Sequence, residues 1–98
     1  MTGNIKKDEA VLQKEFLVEN RSGIHCRAAV KLVDVISGYD ATVQLISGNG
    51  MAGGGSILDI MALGCVEGSR VTVRANGRQA REAMREVEKI FSEKFGEE

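Results

Sequence analysis

The 98-residue chain contains one histidine, His25, within the stretch NRSGIHCRAA, residues 20–29. Gly23 precedes it, Arg27 follows two positions on, and apolar residues then recur at helical spacing: Ala29, Leu32, Val33 and Ile36. His25 therefore stands where a turn meets a helix. The first backbone N–H groups of a helix lack internal partners, and the helix dipole puts partial positive charge there. Such a place receives anions. Arg27 adds a guanidinium fork that matches phosphate oxygens. A neutral imidazole near pH 7 is also a good nucleophile toward phosphorus, so His25 can take up a phosphoryl group and relay it. The plainer reading is a histidine that only caps the helix. From the residues alone, both readings stand open.

Ser56 opens a second such stretch, SILDIMALG, residues 56–64. SILD matches a capping box, with Ser56 as the N-cap and Asp59 reaching back to it. That role already explains a serine, and a phosphate on Ser56 would be tolerated locally at a helix N-terminus. Ile57, Leu58, Ile60, Met61 and Leu63 cannot all face one core from two helical turns. Such a helix is either fully buried or partly open to a partner. Met61 suits an adaptable contact surface as well as a core. Cys26, next to His25, raises the question of a metal or a thiol nucleophile. A zinc site needs about four ligands at recognisable spacing, and His25 with Cys26 and the distant Cys65 falls short. Adjacent residues at a helix start diverge, so His25 is poorly placed to activate Cys26. No metal site and no cofactor are expected.

These residues need elements to hold them. VLQKEFLVE, residues 11–19, alternates in part, with Phe16 and Val18 on one face, and predicts a strand. A helix follows from His25 to Ser37, closed by Gly38. ATVQLIS, 41–47, is a second strand, GNG, 48–50, a hairpin turn, and MAGGG, 51–55, a glycine-weakened return strand. A short helix runs from Ser56 to Leu63. SRVTVRA, 69–75, alternates cleanly as the last strand, and Asn-Gly turns the chain again at 76–77. The longest helix runs from Arg78 to Phe95, with Ala80, Met84, Val87, Phe91 and Phe95 in one stripe. The order is βαββαβα, an α+β chain with an antiparallel sheet and helices on one side. Residues 1–10 read as a frayed polar tail and 11–98 as a single domain.

Composition narrows the function classes. Apolar residues are 43%, charged residues 28% and the formal net charge is -1, ordinary for a globular chain and without the basic footprint of a nucleic-acid binder. No apolar run approaches the roughly 20 residues of a membrane span. The N-terminal residues carry no signal-peptide core, and two cysteines make no disulfide framework. A reducing cytoplasm is the expected setting.

SGIHCRAA resembles the active-site segment of the HPr family, the phosphocarriers of the bacterial sugar phosphotransferase system. The likeness continues through GYDATVQL, the Asn-Gly hairpin, SILDIMALG and the final helix, from about Phe16 to the C-terminus. It implies an open-faced β-sandwich, with a four-stranded antiparallel sheet and three helices on one face. It implies that His25 is phosphorylated on its δ1 nitrogen with help from Arg27. Enzyme I would be the donor and an EIIA-type protein the acceptor, with Ile57, Leu58, Met61, Cys26 and Val30 at the docking surface. Ser56 matches the serine modified by a dedicated kinase, HPr kinase/phosphorylase. An alternative role is a regulatory module that binds a transcription factor or enzyme according to its phosphorylation state. A monomer is expected. The chain departs from the family pattern at four places. Ala28 replaces the proline after the arginine, Cys26 replaces a small residue, Gly55 replaces a residue often basic, and Asp59 adds an acid after Ser56. The last two weigh against serine phosphorylation.

Overall fold

A computed structural model describes residues 11–48 and 50–97; the expected tail over 1–10 lies outside them. The elements are β1 (Leu12–Leu17), α1 (Cys26–Ile36), β2 (Thr42–Ser47), β3 (Gly50–Gly53), α2 (Ile57–Ala62), β4 (Arg70–Asn76) and α3 (Ala80–Ser92). The order is the expected βαββαβα. The sheet is antiparallel throughout, in the order β1-β4-β2-β3.

Alternation decides which face of the sheet is covered. Val43 and Leu45 on β2, Ala52 on β3, and Val71, Val73 and Ala75 on β4 all point inward and are buried. Register aligns them in rows, Val43 opposite Ala75 and Leu45 opposite both Val73 and Ala52. The three helices bury their stripes on the same face: Ala28, Ala29, Leu32 and Ile36 from α1, Ile60 from α2, and Ala83, Met84, Val87 and Phe91 from α3. These residues form one core cluster. The edge strand β1 breaks the pattern at Lys14, which stands opposite Val73 and sends its Nζ to the Glu88 carboxylate on α3, 2.8 Å away. An inward-facing lysine at a sheet edge discourages pairing with another chain.

Both ends of α3 differ from the sequence reading. α3 starts at Ala80 rather than Arg78. The Gln79 side chain accepts the Asp40 N–H at 2.8 Å, and the Gln79 N–H is donated to the Asp40 carbonyl. That exchange fixes the helix start from outside. α3 also ends early, at Ser92. Lys94, Phe95 and Gly96 follow with φ of 55°, 57° and 76°, a left-handed turn. For L residues that conformation costs about 1–2 kcal/mol each. Phe95 is nevertheless buried, edge-on against Phe91 with ring centroids 5.0 Å apart, and Phe91 stacks on Phe16 of β1. The Lys31 Nζ donates to the Phe95 carbonyl and ties the turn to α1. The aromatic stripe is as expected, but its last member sits beyond the helix.

Candidate functional site

The site is built around the turn that feeds α1. The Gly23 N–H is donated to the Asn20 carbonyl at 3.1 Å, and the Asn20 Nδ2 is donated back to the Gly23 carbonyl at 2.8 Å. Gly23 has φ +68°, and a Cβ there would lie 2.4 Å from the Cys65 carbonyl oxygen. Only glycine fits such a close approach in that conformation. The next N–H, of Ile24, is donated to that same Cys65 oxygen at 2.9 Å. Backbone distant in sequence thus fixes where the turn delivers His25.

His25 is the N-cap of α1. It has extended backbone, and its Nδ1 accepts the Arg27 N–H at 3.2 Å. Because Nδ1 accepts, the proton of the neutral ring belongs on Nε2. That nitrogen faces the carboxylate of Glu97, with Nε2 to Oε2 at 2.5 Å. The other carboxylate oxygen, Oε1, accepts from the Asn20 Nδ2 at 3.0 Å. Both groups near the Asn20 nitrogen are acceptors, which settles the orientation of the amide. The Asn20 amide above all, and the His25 ring next, hold the Glu97 carboxyl below the usual carboxylate range. The charges of His25 and Arg27 act the same way, and desolvation opposes them. The His25 side chain keeps 30% of its surface accessible. The site therefore presents a nitrogen lone pair and a helix N-terminus at the surface, with the exposed Arg27 two residues on, in the first turn. Chemically, that is a nucleophile in an anion-accepting setting.

The other expected residues lie as follows. Ser56 caps α2, its Oγ accepting the Asp59 N–H at 3.2 Å. The reciprocal half of the capping box differs from expectation: the Ser56 N–H is donated to the Gly53 carbonyl at 3.1 Å, so Asp59 is not needed there. Leu58 is 77% exposed and Met61 38%, which places both on the open side of α2. Ile57 and Val30 are half-buried, and Cys26 is exposed. α1 and α2 pack against each other, so these five residues belong to neighbouring helices. Cys26 and Cys65 are both free thiols. Burial pushes the Cys65 thiol up, partly offset by a hydrogen bond with Ser47, and away from reactivity. Among the described residues, no group of three His, Cys, Asp or Glu side chains is placed to hold a metal ion. No helix there is long and apolar enough to cross a membrane.

Sequence reasoning missed Glu97 and Asn20. Glu97 is 72 residues from His25 and stands in a polar C-terminal run that looks like solvated surface. Asn20 looks like a turn residue. Its complete burial was the signal, and only the fold shows it.

Comparison with known proteins shows the family. Residues 12–93 match the family model described as PTS HPr component phosphorylation site. The chain is 30% identical over 88 residues to phosphocarrier protein HPr of Xylella fastidiosa, covering 90% of this chain and 99% of that one. It is 31% identical over 100 residues to the multiphosphoryl transfer protein of Salmonella typhi, covering 99% of this chain but only 27% of that protein. The crystal structure of HPr-C-His from Thermoanaerobacter tengcongensis superposes with a TM-score of 0.84 at 29% identity, over 89% of this chain and 98% of that one. With its open antiparallel sheet, its three helices and this match along most of its length, the chain belongs to the HPr family, the phosphocarriers of the phosphotransferase system.

Proposed function

We propose that His25 is the phosphoryl acceptor, that Enzyme I is the donor, and that an EIIA-type protein takes the group onward in the cytoplasm. The observation that carries this reading is the pose of His25, with Nδ1 turned to the N-terminal amides of α1 and Nε2 engaged behind it. The Nδ1 lone pair forms the N–P bond as the bond from phosphorus to the donor breaks and its electron pair leaves with the donor. A phosphoryl group on Nδ1 displaces the Arg27 N–H contact and meets the unpaired N–H groups of the first helical turn. Arg27 supplies the charge that stabilises the moving group. Onward transfer returns the pair to Nδ1.

Leu58 and Met61, with Ile57, Cys26 and Val30 beside them, form the docking surface in this reading. An apolar face left open on a short helix favours that role. The multiphosphoryl transfer protein, in which the matched segment is a minor part, agrees with a domain that works between other phosphoryl-transfer units. Ser56 is a poor kinase substrate in this reading, since Gly55 offers no basic neighbour and Asp59 lies in the first turn of α2.

The test is transfer of label from phosphoenolpyruvate through Enzyme I. The wild type takes one acid-labile phosphate and passes it to EIIA. His25→Ala, a change at a partly exposed position, keeps its circular dichroism spectrum and takes none. Label persisting in a folded His25→Ala variant contradicts the assignment.

A further inference from the structure

We propose that Glu97, held by Asn20, is the positioning residue of His25. It keeps the ring proton on Nε2, leaves Nδ1 as the nucleophile, and balances the charge the ring gains on phosphorylation. This rests on the reading of His25 as a phosphoryl acceptor.

Geometry carries the inference. Each oxygen of the Glu97 carboxylate has one donor, Nε2 of His25 on Oε2 and Nδ2 of Asn20 on Oε1. The arrangement resembles a carboxylate behind a catalytic imidazole, where the carboxylate fixes tautomer and orientation and stabilises the cationic ring. When the neutral imidazole forms its Nδ1–P bond, no proton leaves. Nε2 keeps its hydrogen, and the ring takes up positive charge. An ionised carboxylate against that N–H favours the charged ring.

Two further features sit where an incidental contact would not require them. Asn20 is completely buried, and its Oδ1 has no hydrogen-bond partner among the described residues. A buried polar atom left unpaired destabilises the fold. The compensation visible in the structure is the nitrogen of the same amide, which holds the turn at Gly23 and the Glu97 carboxylate together. The chain also reaches Glu97 through two successive non-glycine residues in the left-handed region, Lys94 and Phe95. Such strain persists only where surrounding contacts over-determine it. Here they are the buried Phe95 ring and the Lys31 bond to the Phe95 carbonyl. Both costs converge on the segment that delivers one carboxylate to one ring nitrogen.

The experiment uses the full chain, 15N-labelled, as wild type, Glu97→Ala and Glu97→Gln, with phosphoramidate as a small N–P donor that releases ammonia. The wild type shows a protected Nε2–H signal of His25. Glu97→Gln loses the charge and one of the two acceptor oxygens, and it keeps that signal when its amide oxygen faces Nε2 with its NH2 turned toward Asn20. Its Nδ1 phosphorylation slows about tenfold and its phosphohistidine hydrolyses faster. Glu97→Ala loses the signal and slows at least as much, with its circular dichroism unchanged. Phosphorylation of Glu97→Gln at the wild-type rate, or a protected Nε2–H in Glu97→Ala, overturns the proposal. These readouts need no donor protein. If Enzyme I fails to label the chain, the donor assignment falls, while the spectra and the phosphoramidate rates still decide for or against Glu97.

Discussion

Two helices of this protein begin in the same manner and are held differently. α1 and α2 each have a polar N-cap side chain that accepts a backbone N–H at 3.2 Å, His25 from Arg27 and Ser56 from Asp59. Each cap is also a residue that phosphate modifies in the HPr family according to the resemblance. At α2 the described contacts of the serine itself are local, to Gly53, Asp59 and Ile60, while Gly54, two residues earlier, ties the turn to β2 by donating its N–H to the Val43 carbonyl at 2.7 Å. At α1 the cap is braced from far away. The Cys65 carbonyl closes on Gly23 and Ile24, and Glu97 closes on the ring. A group that must hold a phosphoryl centre in line for attack and release needs a fixed direction. A serine hydroxyl reached by a kinase needs accessibility instead. Under the proposed function, the Glu97 brace on the ring sets the relay nitrogen of His25 apart from the capping hydroxyl of Ser56.

The largest expected effect breaks the long-range brace itself. Gly23→Ala puts a Cβ into the Cys65 carbonyl at a φ that alanine avoids, and should cost about 3 kcal/mol or more of unfolding free energy. Gly55→Ala, just before the other cap, meets nothing within 4 Å and should change stability by no more than about 0.5 kcal/mol. Urea unfolding of both variants checks the pair. Equal effects would mean that the close approach of Gly23 to the Cys65 carbonyl does not hold the start of α1.

Arg27→Ala sharpens the comparison by separating chemistry from stability. Arg27 is exposed, so its loss should leave the unfolding midpoint nearly unchanged. Phosphoryl transfer should slow about tenfold or more, about 1.4 kcal/mol in the barrier. Rapid-quench transfer kinetics beside a denaturation curve test this. A large loss of stability with normal transfer would reverse the assignment.

Ser56→Ala should do the opposite. It should cost about 1 kcal/mol of stability through the lost cap while transfer to His25 stays at the wild-type rate. The same two measurements apply, and slowed transfer would mean that α2 does more for the relay than present a docking face.

Much of this was legible in the sequence, for reasons that particular residues make plain. β4 alternates Val71, Val73 and Ala75 against polar partners because one face is buried and the other wet, so its strand was readable. His25 was readable as a helix cap because glycine, histidine and an apolar helical pattern follow one another locally. β1 was harder, since Lys14 occupies an inward position and pairs with Glu88 on α3. The end of α3 misled because Phe95 continues the apolar spacing even after the backbone has turned left-handed. The reciprocal capping box failed because the Ser56 N–H found Gly53, a partner supplied by the strand before it. Glu97 was invisible. A carboxylate 72 residues away becomes part of the site only when the turn after α3 folds it there. Local pattern reveals elements and caps, whereas contacts between chain ends belong to tertiary structure.

In the proposed function the two nitrogens of one ring have different tasks, Nδ1 taking phosphate in exchange for the Arg27 N–H and Nε2 held by Glu97. The direct measurement is a long-range 1H–15N correlation spectrum of the phosphorylated protein, with 31P coupling to identify the bonded nitrogen. Phosphorus on Nδ1 of His25, a proton retained on Nε2 and no phosphate on Ser56 are the expected result. Phosphorus bonded to Nε2 would contradict it.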